Sequence, residues 1–331
     1  MDHQIKGLEL SERYYQAYGK TMLAEQFPEL VDRAAVGLVG QGSECFGFDD
    51  AISTDHDYGP AFCIWLTAED YARYGKDVQA AYDTLPKDFL GVHGRIASAQ
   101  GGGRVGVLDI HSFYRQFIGE EQPPKSLARW LYLPDYQLAC ATNGRVFDDP
   151  LGAFSAIRTA LATYPEDVRV KKIAAHAALM AQSGQYNYAR SMRRGETVAA
   201  ELALRAFMQS AISIVYLLNR RYAPYYKWMF RGMKNLPVLA SEVAPLIQEL
   251  AELGAQKDAW SHQDVPGFNP YVNLQDRKVQ LIEQICGHTI HALQEQGLTS
   301  LQDDFLEPHA WDIMKRISDP VLRRCHVMEG A

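Results

Sequence analysis

Val39-Gly40-Gln41-Gly42-Ser43-Glu44-Cys45-Phe46-Gly47, followed by Ile52-Ser53-Thr54-Asp55-His56-Asp57-Tyr58, is the stretch around which the chain is organised. The segment before it, Ala34 to Val39, is apolar and β-capable. A Gly-Ser turn then leads, through a short polar loop, to two aspartates separated by one residue. In strand geometry residues two apart share a face, so Asp55 and Asp57 would present both carboxylates to one place. Adjacent carboxylates repel unless a cation lies between them. Hard oxygen ligands that leave coordination positions open suit Mg2+. Gly42 lets a backbone pass close to a ligand. Ser43 is expected to cap the helical turn after it, leaving N–H groups there to face an anion. A phosphate cradle followed by a paired-Asp metal site is a device for handling a nucleoside triphosphate.

This pattern resembles the nucleotidyltransferase superfamily typified by DNA polymerase beta and the aminoglycoside nucleotidyltransferases. The family pattern is a hydrophobic residue, Gly, Gly or Ser, a gap, then Asp-x-Asp. Gly42-Ser43 supplies its first part and Asp55-His56-Asp57 its second. His56 departs from the apolar residue usual there, and Gly59-Pro60 interrupts the strand beyond, with pairing expected to resume over Ala61–Leu66. The resemblance also extends to uncharacterised bacterial families of that superfamily with a helical C-terminal domain. The competing reading is that Asp55 and Asp57 merely form a solvated turn.

Net charge of −7 and a pI near 5.8 argue against an extended nucleic-acid surface, which needs a basic face. A cationic or neutral acceptor fits that field better than a polyanion. The five cysteines are scattered without a C-x-x-C pair, so neither a zinc site nor a disulfide framework is expected. The first 25 residues lack a signal-peptide core and no apolar run is read as a membrane span, so a cytoplasmic protein without a membrane partner is expected.

Further along, Gly7 to Leu30 carries helical spacing, and Thr67-Ala68-Glu69-Asp70 reads as a capping box opening a helix to about Thr84. Arg104 to Ile110 reads as a strand ending at Asp109. The family resemblance implies a third carboxylate on such a strand, as metal ligand or as base for the incoming hydroxyl; the alternative is that Asp109 caps the helix after it. Leu138–Thr142, Asn143-Gly144 and Arg145–Phe147 give a hairpin signal. Asp148-Asp149-Pro150 reads as a solvated turn that ends it.

Beyond Leu151 the strand signal disappears, and apolar periodicity marks helices over Phe154–Tyr164, Val168–Met180, Tyr186–Leu218, Tyr225–Met233, Pro237–Leu253 and Asp276–Gln296. The fold class is therefore α+β: a mixed sheet with flanking helices over residues 1–150, then an all-α helical bundle over 151–331. In the helical half Arg190 and Lys227 stand in local basic and aromatic clusters and are candidates for the β- and γ-phosphates; an ordinary charged helix face is the alternative. Glu196 is a weaker candidate base. The resemblance implies a Mg2+-dependent nucleotidyltransferase, most naturally an adenylyltransferase using ATP. Gly42-Ser43 would lie on the phosphates, and Asp55, Asp57 and Asp109 on the metals. The acceptor hydroxyl is left open. The alternative class is a non-catalytic nucleotide sensor, or an antitoxin-like interaction protein, on the same fold.

Overall fold

The computed structural model describes residues 5–54, 58–95, 103–260, 271 and 273–331. The chain divides into two compact units, Met1–Pro124 with Leu133–Ala162, and Lys125–Tyr132 with Thr163–Ala331.

In the first unit α1 (Gly7–Tyr14) runs through a π-turn (Tyr15–Gly19) into α2 (Lys20–Gln26). Then come β1 (Ala35–Leu38), β2 (Cys63–Leu66), α3 (Ala68–Asp83), β3 (Gly106–Asp109) and α4 (Ile110–Ile118). After α5 (Leu127–Leu131), which belongs to the other unit, follow α6 (Asp135–Thr142), β4 (Arg145–Asp148) and α7 (Ala153–Ala160). The sheet is mixed, in the order β3-β2-β1-β4; β2 and β3 are parallel, and β1 is antiparallel to β2 and β4.

Period-two alternation divides the sheet's faces. Val36, Ile64, Leu66 and Val107 pack with Tyr14, Leu23 and Phe27 of the N-terminal segment and with Val78 and Tyr82 of α3. From the other side of β2, Trp65 stacks on Phe154 at 4.0 Å and meets Phe113 edge-on at 5.4 Å. Thr67 does cap α3: the Asp70 amide donates to Thr67 Oγ1 at 3.2 Å, and that hydroxyl donates to Asp70 Oδ2 at 2.8 Å. Arg33 then holds the same carboxylate at 2.9 Å.

The expected hairpin is corrected. Leu138–Thr142 lies in α6, and β4 pairs with β1 instead. The run Leu138–Ala141 is buried throughout, and an unbroken apolar run fits a buried helix as well as a buried strand. Pro134 at the N-cap and Asp135 in the first turn favour the helix. Asp149 is not merely solvated either: its Oδ2 accepts from the Ser155 amide at 2.8 Å, at the start of α7.

The second unit is helical: α5, α8 (Glu166–Met180), a π-segment (Ala181–Tyr188), α9 (Ala189–Arg193), α10 (Thr197–Leu218), α11 (Tyr226–Met233), α12 (Ala240–Glu252), α13 (Arg277–Glu295), α14 (Leu306–Met314) and α15 (Pro320–Arg324). The single helix expected over Tyr186–Leu218 is broken at Gly195, whose φ of 73° ends α9 as a left-handed C-terminal residue. α10 is long and apolar enough to cross a bilayer by length and composition alone, a test that a core helix also passes, and 44% of its most apolar window is buried in this chain. Leu204, Phe207, Ile214 and Val215 form its buried stripe.

Two lysines of α8 are sunk into this unit. Lys171, 0% exposed, donates to the carbonyls of His326, Val327 and Glu329 at 3.0, 3.0 and 2.6 Å. Lys172 donates to the Gly330 carbonyl at 2.8 Å. Burial pulls Lys171 down to about 8.

At the start of α8, Glu166 accepts from Arg169 at 2.6 Å and Arg220 at 2.7 Å. Chiefly the Arg169 hydrogen bond holds its carboxyl down at about 2. A depressed carboxylate stabilises the fold above its unfolded value, and that stability is lost as pH falls from 4.5 toward 2. Glu166 is half exposed, so the contribution is at most about 1 kcal/mol. The stability deficit of Glu166→Gln in urea melts is therefore expected to be largest near neutrality and to vanish by pH 2–3; a pH-independent deficit would refute the pairing.

Candidate functional site

β1 delivers the chain into the Gly-Ser turn, where Gly40 and Gly42 have φ of 129° and 125°. The base of the turn is clamped. Gly40 N–H donates to Asn143 Oδ1 at 2.9 Å, and Asn143 Nδ2 donates to Gly40 O at 2.8 Å. Gly144 N–H donates to Cys45 O at 2.9 Å. Arg158 of α7 closes this support from behind, its guanidinium donating to the carbonyls of Thr142 and Asn143 at 2.8 and 2.7 Å.

The underside of the turn is a buried ion pair. Glu44 is 4% exposed and pairs with Arg95 at 2.9 Å. Burial pushes the Glu44 carboxyl up, against the pull of Arg95. A Cβ on Gly42 would stand 2.7 Å from Glu44 Oε2, so only glycine lets the turn close over this carboxylate. Asp49, also buried, accepts from the Gly7 amide at 2.9 Å through Oδ2, while Oδ1 has no hydrogen-bond partner.

Ser43 is not an N-cap. It has helical φ and ψ of −62° and −34°, and its side chain makes no capping bond to the three-residue 3-10 turn Glu44–Phe46. Capping needs the extended backbone that aims a side chain at the N2 or N3 amide. So short a turn also lacks the helix N-terminus expected for an anion. Cys45 and Cys63 lie buried here, and burial pushes both thiols up, Cys63 to about 12.

Asp55 and Asp57 lie outside the described residues. Asp109 ends β3 and caps α4, Oδ1 accepting from the Ser112 amide at 2.7 Å; its Oδ2 is buried without a hydrogen-bond partner. The register separates Asp109 from the turn. Gly37, near the C-terminal end of β1, pairs with Cys63 and hence Gly106, whereas Asp109 pairs with Leu66. Three strand steps put Asp109 about 10 Å along the sheet from the Gly-Ser end. Among the described residues no group of three His, Cys, Asp or Glu side chains is gathered to hold a metal ion. Asp109→Ala is expected to cost about 1 kcal/mol through loss of the cap; Asp109→Asn, which keeps the acceptor, should recover most of it in the same thermal melts.

The helical-unit cations stand on separate helices. Arg190 lies 4.7 Å over the Tyr186 ring, which stacks on Tyr271 at 5.3 Å. Arg190 stands on α9, which the Gly195 turn joins to the N-terminus of α10. Lys227 stands exposed on α11, which is bonded to the far part of α10 by Tyr216 Oη donating to Met229 O at 2.9 Å. Glu196 is exposed in the turn before α10.

Sequence reasoning missed the residues that hold the turn: Asn143, Gly144, Arg158, Glu44 and Arg95. Asn143-Gly144 was visible as turn chemistry, but its partner at Gly40 is 103 residues away.

Among known families, the one described as Domain of unknown function (DUF4037) matches residues 130–229, a span that contains Asn143 and Arg158 but not the Gly-Ser turn. No curated protein matches the chain. The crystal structure of a nucleotidyltransferase-like protein from Exiguobacterium sibiricum 255-15 is similar at a TM-score of 0.32 and 9% identity, over 93% of this chain and 81% of that one.

Proposed function

We propose that the chain is a Mg2+-dependent nucleotidyltransferase that moves AMP from ATP to an acceptor hydroxyl, acting in the cytoplasm. The observation that carries this reading is the Gly40–Ser43 turn at the end of β1, held by Asn143 and closed over Glu44, with the Asp55-x-Asp57 pair following it in the sequence after a short gap. A rigid support of this kind makes the turn a preorganised phosphate seat.

In this reading Gly42 and Ser43 meet the terminal phosphates, the Ser43 hydroxyl being unused as a cap. Asp55 and Asp57 hold Mg2+, which supplies charge neutralisation at the phosphates when bound. The acceptor oxygen attacks the α-phosphorus in line, its proton passes to a base, and the bond to pyrophosphate breaks. Asp109 belongs to the proposal only as the third carboxylate implied by the family resemblance; its cap and register favour a structural role.

The experiment is pyrophosphate release from ATP labelled in the α-phosphate, with Mg2+ and acceptor panels of aminoglycosides, protein and RNA. Label on one acceptor class supports the enzyme. Mg2+-dependent ATP binding without turnover on any of them favours the sensor reading, which two metal-site carboxylates instead of three would suit. Absence of binding overturns both.

A further inference from the structure

From Leu202 to Ser241 the chain has no acidic residue, yet it carries Arg205, Arg220, Arg221, Lys227, Arg231 and Lys234, in a protein of net charge −7. Most of that charge is concentrated on α11 and the segment before it. Tyr225 and Tyr226 are 48% and 71% exposed, and the two rings meet at 4.5 Å. Lys227 and Arg231 lie 5.2 and 5.5 Å from the Trp228 ring, and Lys234 lies 4.6 Å from Phe230. An exposed tyrosine pair therefore stands beside cations that lie against the half-buried Trp228 and Phe230 rings.

The surface is held from beneath. Met229 and Met233 are buried, and Met229 O accepts from Tyr216. Asn219 ties Val238 from both sides, accepting from its N–H and donating to its carbonyl, each at 2.9 Å.

We propose that this surface binds a short stretch of single-stranded nucleic acid. Cations on a fixed helix take up phosphates, and exposed rings beside them supply the stacking faces that unpaired bases need. An acidic peptide would satisfy the cations and leave the rings without a flat partner. A lipid surface needs an exposed apolar stripe; on α11 Met229 and Met233 are turned into the unit, and Trp228 and Phe230 are half-buried beside the cations Lys227, Arg231 and Lys234. The patch is local, which is consistent with a chain too acidic to track a long backbone.

The test is fluorescence anisotropy with a labelled single-stranded RNA of about 12 nucleotides, without ATP or Mg2+, so that it stands or falls apart from pyrophosphate release. Tyr226→Ala, at a site too exposed to endanger folding, is expected to weaken binding about 5- to 100-fold, the loss of one stacked base. The triple variant K227Q/R231Q/K234Q is expected to flatten the slope of log affinity against log salt by about 2, at roughly 0.7 per phosphate. A duplex of equal length should bind more weakly. Unchanged affinity in Tyr226→Ala, duplex bound as tightly as single strand, or anionic vesicles bound in place of RNA would each overturn the proposal.

Discussion

Asp57→Asn is expected to reduce Mg2+-dependent pyrophosphate release by at least about 1,000-fold. A metal at a reacting phosphate supplies several kcal/mol of charge stabilisation, and each 1.36 kcal/mol is tenfold in rate. Asparagine keeps the shape of aspartate but loses the charge that would hold the cation in the proposed site. Without metal, two neighbouring carboxylates repel, so the substitution should leave the melting temperature of the metal-free protein unchanged or slightly higher. Added Mg2+ and ATP should raise the wild-type melting temperature and leave the variant's almost where it was, because only a bound ligand shifts the folding equilibrium. Wild-type turnover in Asp57→Asn would remove the paired-Asp metal site from the mechanism.

Gly144→Ala is expected to cost about 2–5 kcal/mol. Gly144 has φ of 64°, where a non-glycine residue pays roughly 1–2 kcal/mol. Its Cβ would stand 2.0 Å from Leu38 O and 3.0 Å from Leu38 C. Those are backbone atoms of β1, so relief requires moving the strand end or the loop, and forced shifts of that kind add about 1–3 kcal/mol. The same loop carries Asn143, whose paired bonds seat Gly40. The variant should thus lower the urea midpoint at unchanged slope and weaken ATP binding together. A loss under about 1 kcal/mol with full ATP affinity would show that the 142–144 loop does not carry the turn.

The parts of the fold that local chemistry controls were legible. Ala34–Val39 and Arg104–Ile110 were readable as strands, and Thr67 with Asp70 announced α3 through its own capping box. The helical half was legible from periodicity down to the approximate bounds of α8 and α13. Errors fell where local signals were balanced. Leu138–Ala141 was apolar enough for either element, and burial against its neighbours made it α6. The unbroken periodicity of Tyr186–Leu218 concealed a stop that a single glycine imposes.

For the site the division is sharper. By itself the sequence determined that a glycine-rich turn follows β1 and precedes paired aspartates, because those are facts of residue type and spacing. It also determined that the span from Leu202 to Ser241 carries basic residues and no acidic one. Tertiary structure alone decided what supports the turn, since Asn143 reaches Gly40 across 103 residues and Arg95 reaches Glu44 across 51. It alone decided that Asp109 caps a helix at the far end of β3, and that Arg190 packs on Tyr186 while Lys227 lies against Trp228. Such outcomes depend on register and on burial, in which each side chain answers to partners remote in the chain, and no local pattern carries that information.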